Sequence, residues 1–360
     1  MRRVDIVVTN RASYARVKTV LDSLSATEGC DCRVLLAGTT VVEQYGILSI
    51  PFPSIRFHHL MAGDEPADMV TTMSGLAAQL ANYWRNDPPD VVVTIGDRYE
   101  TLATATAAAF MNIPLAHIQG GEVTGTIDER VRHAVTKLAD LHFVATKKAR
   151  DNVIAMGEDP LRVFWTGCPS IDLAASIEGK PDASVFRGFG AKFDLNEMYS
   201  IVMYHPVTTR PAETRHDLEF LKQVVEITGR PAFWFWPNQD AGREVIAKVL
   251  RTSDLPNVHF IKNLPPEDFL RLLKYAGGII GNSSCGLREA GYYGVPAIDV
   301  GSRQAGRERG PNVIHITNMD DIKSVVAKPS YLYGNGTAGK QIAEVLMTHE
   351  NLWHEKKLTY

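Results

Sequence analysis

Four cysteines in 360 residues exclude more than they allow. Cys30, Cys32, Cys168 and Cys285 form no C-x-x-C pair, and no histidine cluster stands beside them at zinc spacing, so no bound structural metal is expected. Charge of one sign is equally scarce. Lys and Arg total 38 against 41 Asp and Glu, for a net charge of -3, and the basic residues are scattered rather than blocked. Neither nucleic acid nor a membrane surface is therefore an expected partner. No run approaches the roughly 18 apolar residues that a membrane-crossing helix needs. The opening Val4–Val8 run is too short for the core of a secretory leader and reads as a first buried strand, so a reducing cytoplasmic location is expected. Two phosphate-binding signatures are also missing. The first strand runs into Asn10-Arg11-Ala12-Ser13 rather than G-x-G-x-x-G, and the glycine-bearing stretch at 281–286 lacks the lysine of a P-loop.

What is present is a globular balance, 45% hydrophobic and 22% charged, in a chain long enough for two domains of about 100–200 residues each. Short β-branched runs alternate with helical stretches. Val4–Thr9, Cys32–Ala37, Asp90–Ile95, Leu115–Ile118, Leu141–Val144 and Val163–Trp165 read as strands, with helices over Ser13–Leu24, Thr71–Trp84 and Thr101–Met111. The pattern restarts after Gly167-Cys168-Pro169-Ser170. Strands are expected at Ser200–Tyr204, Ala232–Trp236, Val258–Ile261, Gly278–Ile280, Ala297–Val300 and Val313–Ile316, with helices over Pro266–Tyr275 and Ser284–Tyr293 and a last one over Gly339–His349. Such a β-α series implies parallel sheets covered on both faces. The expected limits are 1–169 and 170–345 for the two domains, with 179–193 as a polar, Gly-rich linker and 346–360 as a tail able to pack back on the first domain.

In open α/β sheets ligands sit beyond the carboxyl ends of strands, so the residues that follow each strand carry the functional reading. Arg11 can meet a phosphate, or the turn is simply capped by Ser13. Gly96-Asp97-Arg98-Tyr99-Glu100 follows a continuous apolar strand, and Asp97 is either a functional acid or a helix cap. His117-Ile118-Gln119-Gly120-Gly121-Glu122 ends another strand, and its paired glycines let backbone approach a ligand. Glu122, Asp128, Glu129 and His133 then crowd one stretch, where carboxylates and imidazole can separate acid from base, with Glu129 and His133 as an i,i+4 pair. His205 and the segment Trp236-Pro237-Asn238 end strands of the second half. Gly281-Asn282-Ser283-Ser284-Cys285-Gly286 joins a strand to a helix whose free N–H groups suit a diphosphate, and Arg303 and Arg307 are cations placed to close over the same charge.

Read together, Asn10-Arg11-Ala12, Gly96-Asp97-Arg98, Gly120-Gly121-Glu122, Thr126-Ile127-Asp128-Glu129, Arg132-His133-Ala134, Gly281-Asn282-Ser283-Ser284, Arg288-Glu289-Ala290 and Gly301-Ser302-Arg303-Gln304 with Gly306-Arg307 and Asn312-Val313 resemble, in order and along nearly the whole chain, the hydrolysing UDP-N-acetylglucosamine 2-epimerases. The resemblance implies an α/β, glycosyltransferase-B-like fold of two Rossmann-like domains. It places the active site in the interdomain cleft, with sugar and acid–base groups on the first domain and the nucleotide on the second. It also implies a homodimer or homotetramer, a nucleotide-sugar partner, no metal, no nicotinamide and no other cofactor. The implied reaction is anti elimination of UDP from a 2-acetamido sugar followed by hydration of the glycal, feeding sialic or other nonulosonic acid synthesis. Matched position by position, Asp97, Asp128 and residue 119 fall on the acid–base set. Arg11, Arg98, His205, Asn238, Ser283, Ser284, Glu289 and Arg303 fall on nucleotide-holding positions, with Ser283 and Ser284 on the diphosphate and Glu289 on the ribose hydroxyls.

One position departs. Where the resemblance calls for Glu, the chain has Gln119, which has no useful proton to exchange near neutral pH. Glu122, three residues on, is the expected substitute, with His205 as a further candidate. The departure keeps a non-hydrolysing epimerase and a non-catalytic nucleotide-sugar-binding protein open beside the hydrolysing enzyme.

Overall fold

The structure is a computed structural model and describes residues 1–43, 47–58, 65–237, 240–321, 328–353 and 355–357. The chain folds into two compact units. The first holds Met1–Glu122, Asp128–Ala175 and Tyr333–Tyr360, and the second holds Val123–Ile127 and Ser176–Leu332. Across the described residues each unit carries one seven-stranded sheet.

The first sheet is built from β1 (Arg2–Val8), β2 (Cys30–Leu36), β3 (Ser54–Arg56), β4 (Val91–Ile95), β5 (Leu115–Ile118), β6 (Leu141–Val144) and β7 (Val163–Trp165), in the order β3-β2-β1-β4-β5-β6-β7. Every pairing is parallel. Alternation along β1 separates two cores. Val4, Ile6 and Val8 pack with α1 (Arg11–Ser25) and α11 (Ala338–Thr348), whereas Val7 packs with α2 (Pro66–Trp84) and α3 (Tyr99–Phe110). Both faces of β4 are buried, which explains its unbroken Val-Val-Val-Thr-Ile run. Helix α1 buries Tyr14, Val17, Val20, Leu21 and Leu24, spaced for one apolar stripe. Its cap is Asn10, whose Oδ1 accepts from the Ser13 N–H at 2.8 Å; Ser13 is the capped residue, not the cap. Three further helices complete the unit: α4 (Asp128–Leu138), α5 (Lys147–Ala155) and α6 (Pro169–Ala175).

The second sheet holds β8 (Gly188–Gly190), β9 (Ser200–Met203), β10 (Ala232–Phe235), β11 (Val258–Ile261), β12 (Gly278–Gly281), β13 (Ala297–Val300) and β14 (Val313–Ile316), in the order β14-β13-β12-β9-β10-β11-β8. All are parallel except β8, which runs antiparallel to β11. Helices α7 (Glu213–Thr228), α8 (Arg243–Thr252), α9 (Pro266–Lys274) and α10 (Glu289–Tyr293) connect them. One face packs Val202, Tyr204, Trp234 and Phe260 with Leu218 and Leu221, and the other packs Tyr199, Ile201 and Phe233 with Leu272 and Leu273.

The unit limits differ from the expected ones in three places. Helix α6 stays with the first unit, so the crossing falls after Ala175 rather than at 169. Residues 333–345 return to the first unit instead of closing the second. The physical reason is the seat of α11 against α1 and α6. Asp172 accepts from the Ala338 and Gly339 N–H groups at 3.1 and 2.6 Å, capping α11 from another helix. Gly339 has no room for a Cβ, which would lie 2.6 Å from Thr19. Third, Val123–Ile127 groups with the second unit, where the Gly125 N–H donates to the Arg303 carbonyl at 3.1 Å. The expected linker also contains a strand. A Cβ on Gly188 or Gly190 would collide with the Phe260 or Val258 carbonyl, so β8 reaches the sheet only because both residues are glycine.

These topologies place the candidate residues. In the first sheet the strand order reverses between β1 and β4, and in the second between β9 and β12. Loops leaving adjacent strands at such a reversal diverge to opposite faces and open a crevice. Arg11 and Asp97 follow the first pair of strands. His205 and the Asn282-Ser283-Ser284 segment follow the second.

Candidate active site

In the first unit, Gly96 (φ +82°) turns the chain out of β4. Asp97 does not cap α3, because the cap position belongs to Arg98 and its side chain makes no capping bond. The Asp97 carboxylate instead accepts from Arg132, through Nε at 3.1 Å and through Nη2. Arg132 is fully buried on α4. Its Nη1 donates to Glu129 Oε2 and to the Glu122 carbonyl, both at 2.7 Å. Burial works to lower the pKa of this guanidinium, but the charges of Asp97, Glu122 and Glu129 outweigh it, so Arg132 is held more firmly charged than usual. Glu129 Oε1 meets His133 Nε2 at 2.8 Å, the expected i,i+4 pair. Asp128 opens α4 in its first turn, and Glu122 is buried at the last position before the chain enters the second unit.

The glycine pair is closely packed. A Cβ on Gly120 would lie 2.9 Å from Thr136 Oγ1 and 3.1 Å from His117 Nδ1, and one on Gly121 would strike the Ala149 carbonyl. Both glycines are required by packing within the unit. His117, wholly buried, donates from Nε2 to the Gly96 carbonyl at 2.8 Å and lies 3.2 Å from Thr136 Oγ1 through Nδ1. Burial drives its pKa down to about 3, which leaves a neutral ring with its proton on Nε2. The ring thereby ties β5 to the turn that carries Asp97. Gln119 is buried in the left-handed region (φ +71°) and donates from Nε2 to the Cys168 thiol at 2.8 Å, which in turn lies 3.0 Å from Ser170 Oγ. Arg98 donates to Glu100 at 3.1 and 3.3 Å and covers the Tyr99 ring, 5.2 Å from its centre. Arg11 is the first residue of α1, and burial lowers its pKa.

In the second unit the loops after β9 and β12 are tied together. The Asn282 carboxamide accepts from the His205 N–H and donates to the His205 carbonyl, both at 2.8 Å and both buried. Gly281 (φ +132°) lies so close to the Met203 carbonyl that no Cβ fits. Ser283 Oγ accepts from the Cys285 thiol at 3.1 Å. The helix expected over Ser284–Tyr293 is broken in two. Ser284–Gly286 is a tight 3-10 turn, and α10 starts only at Glu289, after Arg288 with ψ -80°. Glu289 Oε2 is buried and has no hydrogen-bond partner among the described residues. Arg303 Nη1 lies 3.4 Å from the Asn282 carbonyl, and Arg307 Nη1 donates to Gln304 Oε1 at 2.9 Å. Asn238 lies outside the described residues.

Each unit therefore presents a fixed set of groups at its strand reversal: carboxylates around a buried cation in the first, and a polar turn with two nearby arginines in the second. The family model for UDP-N-acetylglucosamine 2-epimerase matches residues 22–347. The chain belongs to this family. It is 30% identical to a UDP-N,N'-diacetylbacillosamine 2-epimerase (hydrolyzing) of Legionella pneumophila, over 97% of this chain and 96% of that protein. It is 31% identical to a UDP-N-acetylglucosamine 2-epimerase of Neisseria meningitidis, over 88% of this chain and 84% of that one. Among solved structures, the UDP-GlcNAc 2-epimerase of Neisseria meningitidis bound to UDP-GlcNAc shares the fold, with a TM-score of 0.74 at 16% identity, covering 97% of this chain and all of that one. The family assignment and the two sheets make the chain a glycosyltransferase-B-like α/β protein of the nucleotide-sugar epimerase class.

Three residues that hold these groups in place stand in the quoted motifs but received no role from the sequence. Arg132 was visible as a cation three positions after Glu129, on the face that an i,i+3 spacing shares, but nothing local shows that it is buried. Asn282 and Gln304 were visible only as neighbours of Ser283 and Arg303. Their bonds run to residues 77 and 22 positions away, beyond any local signal.

Proposed function

We propose that this protein is a hydrolysing 2-epimerase of a UDP-2-acetamido sugar. The observation that carries the reading is the placement of Asp97, held by a buried guanidinium at the reversal point of the first sheet, as a carboxylate of defined orientation. The names of the Legionella relative and of a Campylobacter jejuni relative, 28% identical over 89% of this chain and called a GDP/UDP-N,N'-diacetylbacillosamine 2-epimerase (hydrolyzing), support the hydrolytic outcome.

In the proposed reaction a carboxylate removes the proton on C2. The C–H electron pair becomes the C1=C2 bond, and the C1–O bond breaks with its electrons leaving on UDP. Water then adds its hydroxyl to C1, and a proton reaches C2 from the opposite face. Asp97, Glu122 and Asp128 are the acid–base candidates, with His205 as a further one. Glu122 takes the step that Gln119 cannot perform. Ser283, Ser284, Arg303 and Arg307 meet the diphosphate, where donors and cations fixed in advance stabilise the charge that develops on the leaving group. Arg11, Arg98, Asn238 and Glu289 complete the nucleotide contacts, Glu289 through the ribose hydroxyls. The reading requires one substrate to reach both sets of residues, and it places the product in nonulosonic acid synthesis in the cytoplasm.

The test is incubation with UDP-N-acetylglucosamine and with UDP-N,N'-diacetylbacillosamine in D2O. Free UDP and a free 2-epimeric sugar carrying deuterium at C2 are expected. Accumulation of an intact epimeric nucleotide sugar would replace hydrolysis by the non-hydrolysing reaction. Tight binding without turnover of either compound would leave a nucleotide-sugar-binding protein.

A further inference from the structure

Gln304 is almost wholly buried in the loop after β13, and its side chain touches two parts of the nucleotide side of the second unit at once. Nε2 donates to the Asn282 carbonyl at 2.7 Å, and Oε1 accepts from Arg307 Nη1 at 2.9 Å. Asn282 in turn holds both backbone groups of His205, and its own N–H donates to the Met203 carbonyl at 3.0 Å. The segments 203–205, 281–283 and 304–307 are thus joined by buried hydrogen bonds, and Gln304 links the second to the third, with Arg303 Nη1 3.4 Å from the same Asn282 carbonyl.

The 282–283 peptide explains what this link achieves. A trans peptide is planar, with its C=O and N–H on opposite sides. With the Asn282 carbonyl turned onto Gln304, the Ser283 N–H is aimed the other way. The same amide fixes the guanidinium of Arg307. We propose that Gln304 is a positioning residue for the diphosphate. It sets the direction of one backbone donor and one cation together, and it does so without touching the ligand. The proposal rests on the nucleotide reading of this unit given above.

A carboxamide meets both demands without charge, because it carries its donor and its acceptor on separate atoms. Glutamate keeps the acceptor for Arg307 but loses the donor, and sets a second oxygen against the Asn282 carbonyl. Methionine keeps the length and loses both. The experiment measures UDP and uridine affinities by calorimetry, with melting temperatures, for the wild type, Gln304→Glu and Gln304→Met. The expected result is a loss of tenfold or more in UDP affinity for both variants, no more than twofold change for uridine, and a cooperative melt retained in at least one of them. Gln304→Glu keeps the Arg307 contact but adds a charge beside it, whereas Gln304→Met adds none, so a loss shared by both variants reads the lost Asn282 link rather than the added charge. Equal losses for UDP and uridine, unchanged UDP affinity in either variant, or failure of both variants to fold would each overturn the positioning role. Failure of the wild type to bind UDP at all would instead overturn the nucleotide reading, which keeps the two failures distinct.

Discussion

Arg132 donates two hydrogen bonds to the same oxygen, Oδ2 of Asp97. Both bonds converge on one side of the carboxylate, so its orientation is set by a residue that solvent does not reach. Asp97→Asn preserves shape and keeps one acceptor oxygen for Arg132, but removes the base. Turnover is expected to fall by about 10²–10⁴ with UDP affinity nearly unchanged. Steady-state rates and calorimetry on the same preparation check this. Loss of both together would make Asp97 a structural residue. The control is Arg132→Met, which leaves the Asp97 and Glu129 carboxylates without their cation and is expected to cost about 3–5 kcal/mol of stability in urea unfolding.

The helix-closing role of Asp172 is testable by itself. Burial raises its pKa, and the N–H groups of Gly339 and Ala338 oppose that shift. Asp172→Ala leaves the α11 N-terminus uncapped in a buried setting, at an expected cost of about 1–2 kcal/mol. Hydrogen exchange should show the loss first in residues 338–348, because that helix is the element Asp172 holds. Uniform faster exchange across both units, with α11 no worse than the rest, would contradict the assignment.

Much of this architecture was legible in the sequence, for identifiable reasons. Strands such as Leu115–Ile118, Leu141–Val144 and Val258–Ile261 are buried on both faces, and their apolar runs, each interrupted by a single histidine, still mark them to the residue. Two three-residue edge strands give no such run. Ser54–Arg56 is mostly exposed, and Gly188–Gly190 is fully so. The break between Ser284–Gly286 and Glu289–Tyr293 falls at Gly286, a local signal that the reading of 284–293 as one helix passed over. Gly281, just before this turn, lies against the Met203 carbonyl, a contact across 78 positions. In the site, the motif positions at strand ends were readable, whereas the buried partners that orient them were not.

His117 makes acid stability a measure of the β5–Gly96 tie. An exposed histidine titrates near 6.5, and burial lowers the folded-state pKa to about 3. Between those values the unfolded chain binds the extra proton, so stability rises with pH there, by about 1.4 kcal/mol per unit from this group. Below about pH 3 both states are protonated, and above about 6.5 neither is. Relative to His117→Asn, the wild type should therefore lose stability more steeply as pH falls from 6.5 toward 4 in urea titrations. Parallel curves for the two proteins would show that position 117 is not a neutral buried imidazole.

The exchange of acid for amide at position 119 gives the sharpest test of which carboxylate moves the proton. Gln119 is pinned at a positive φ, with its Nε2 donating to Cys168. Installing glutamate there removes that donor and buries a charge, so Gln119→Glu should lose about 1–3 kcal/mol of stability without gaining rate. Glu122→Gln should lose turnover by about 10²–10⁴ while it still binds UDP, because the proton-transfer step then has neither acid. Running the two single variants and their combination through the D2O assay separates the possibilities. If Glu122 has taken over the step, the double variant is as inactive as Glu122→Gln. A double variant that recovers turnover would show that position 119 faces the sugar after all. The Gln119–Cys168 contact would then be a resting arrangement that an acid at 119 can leave.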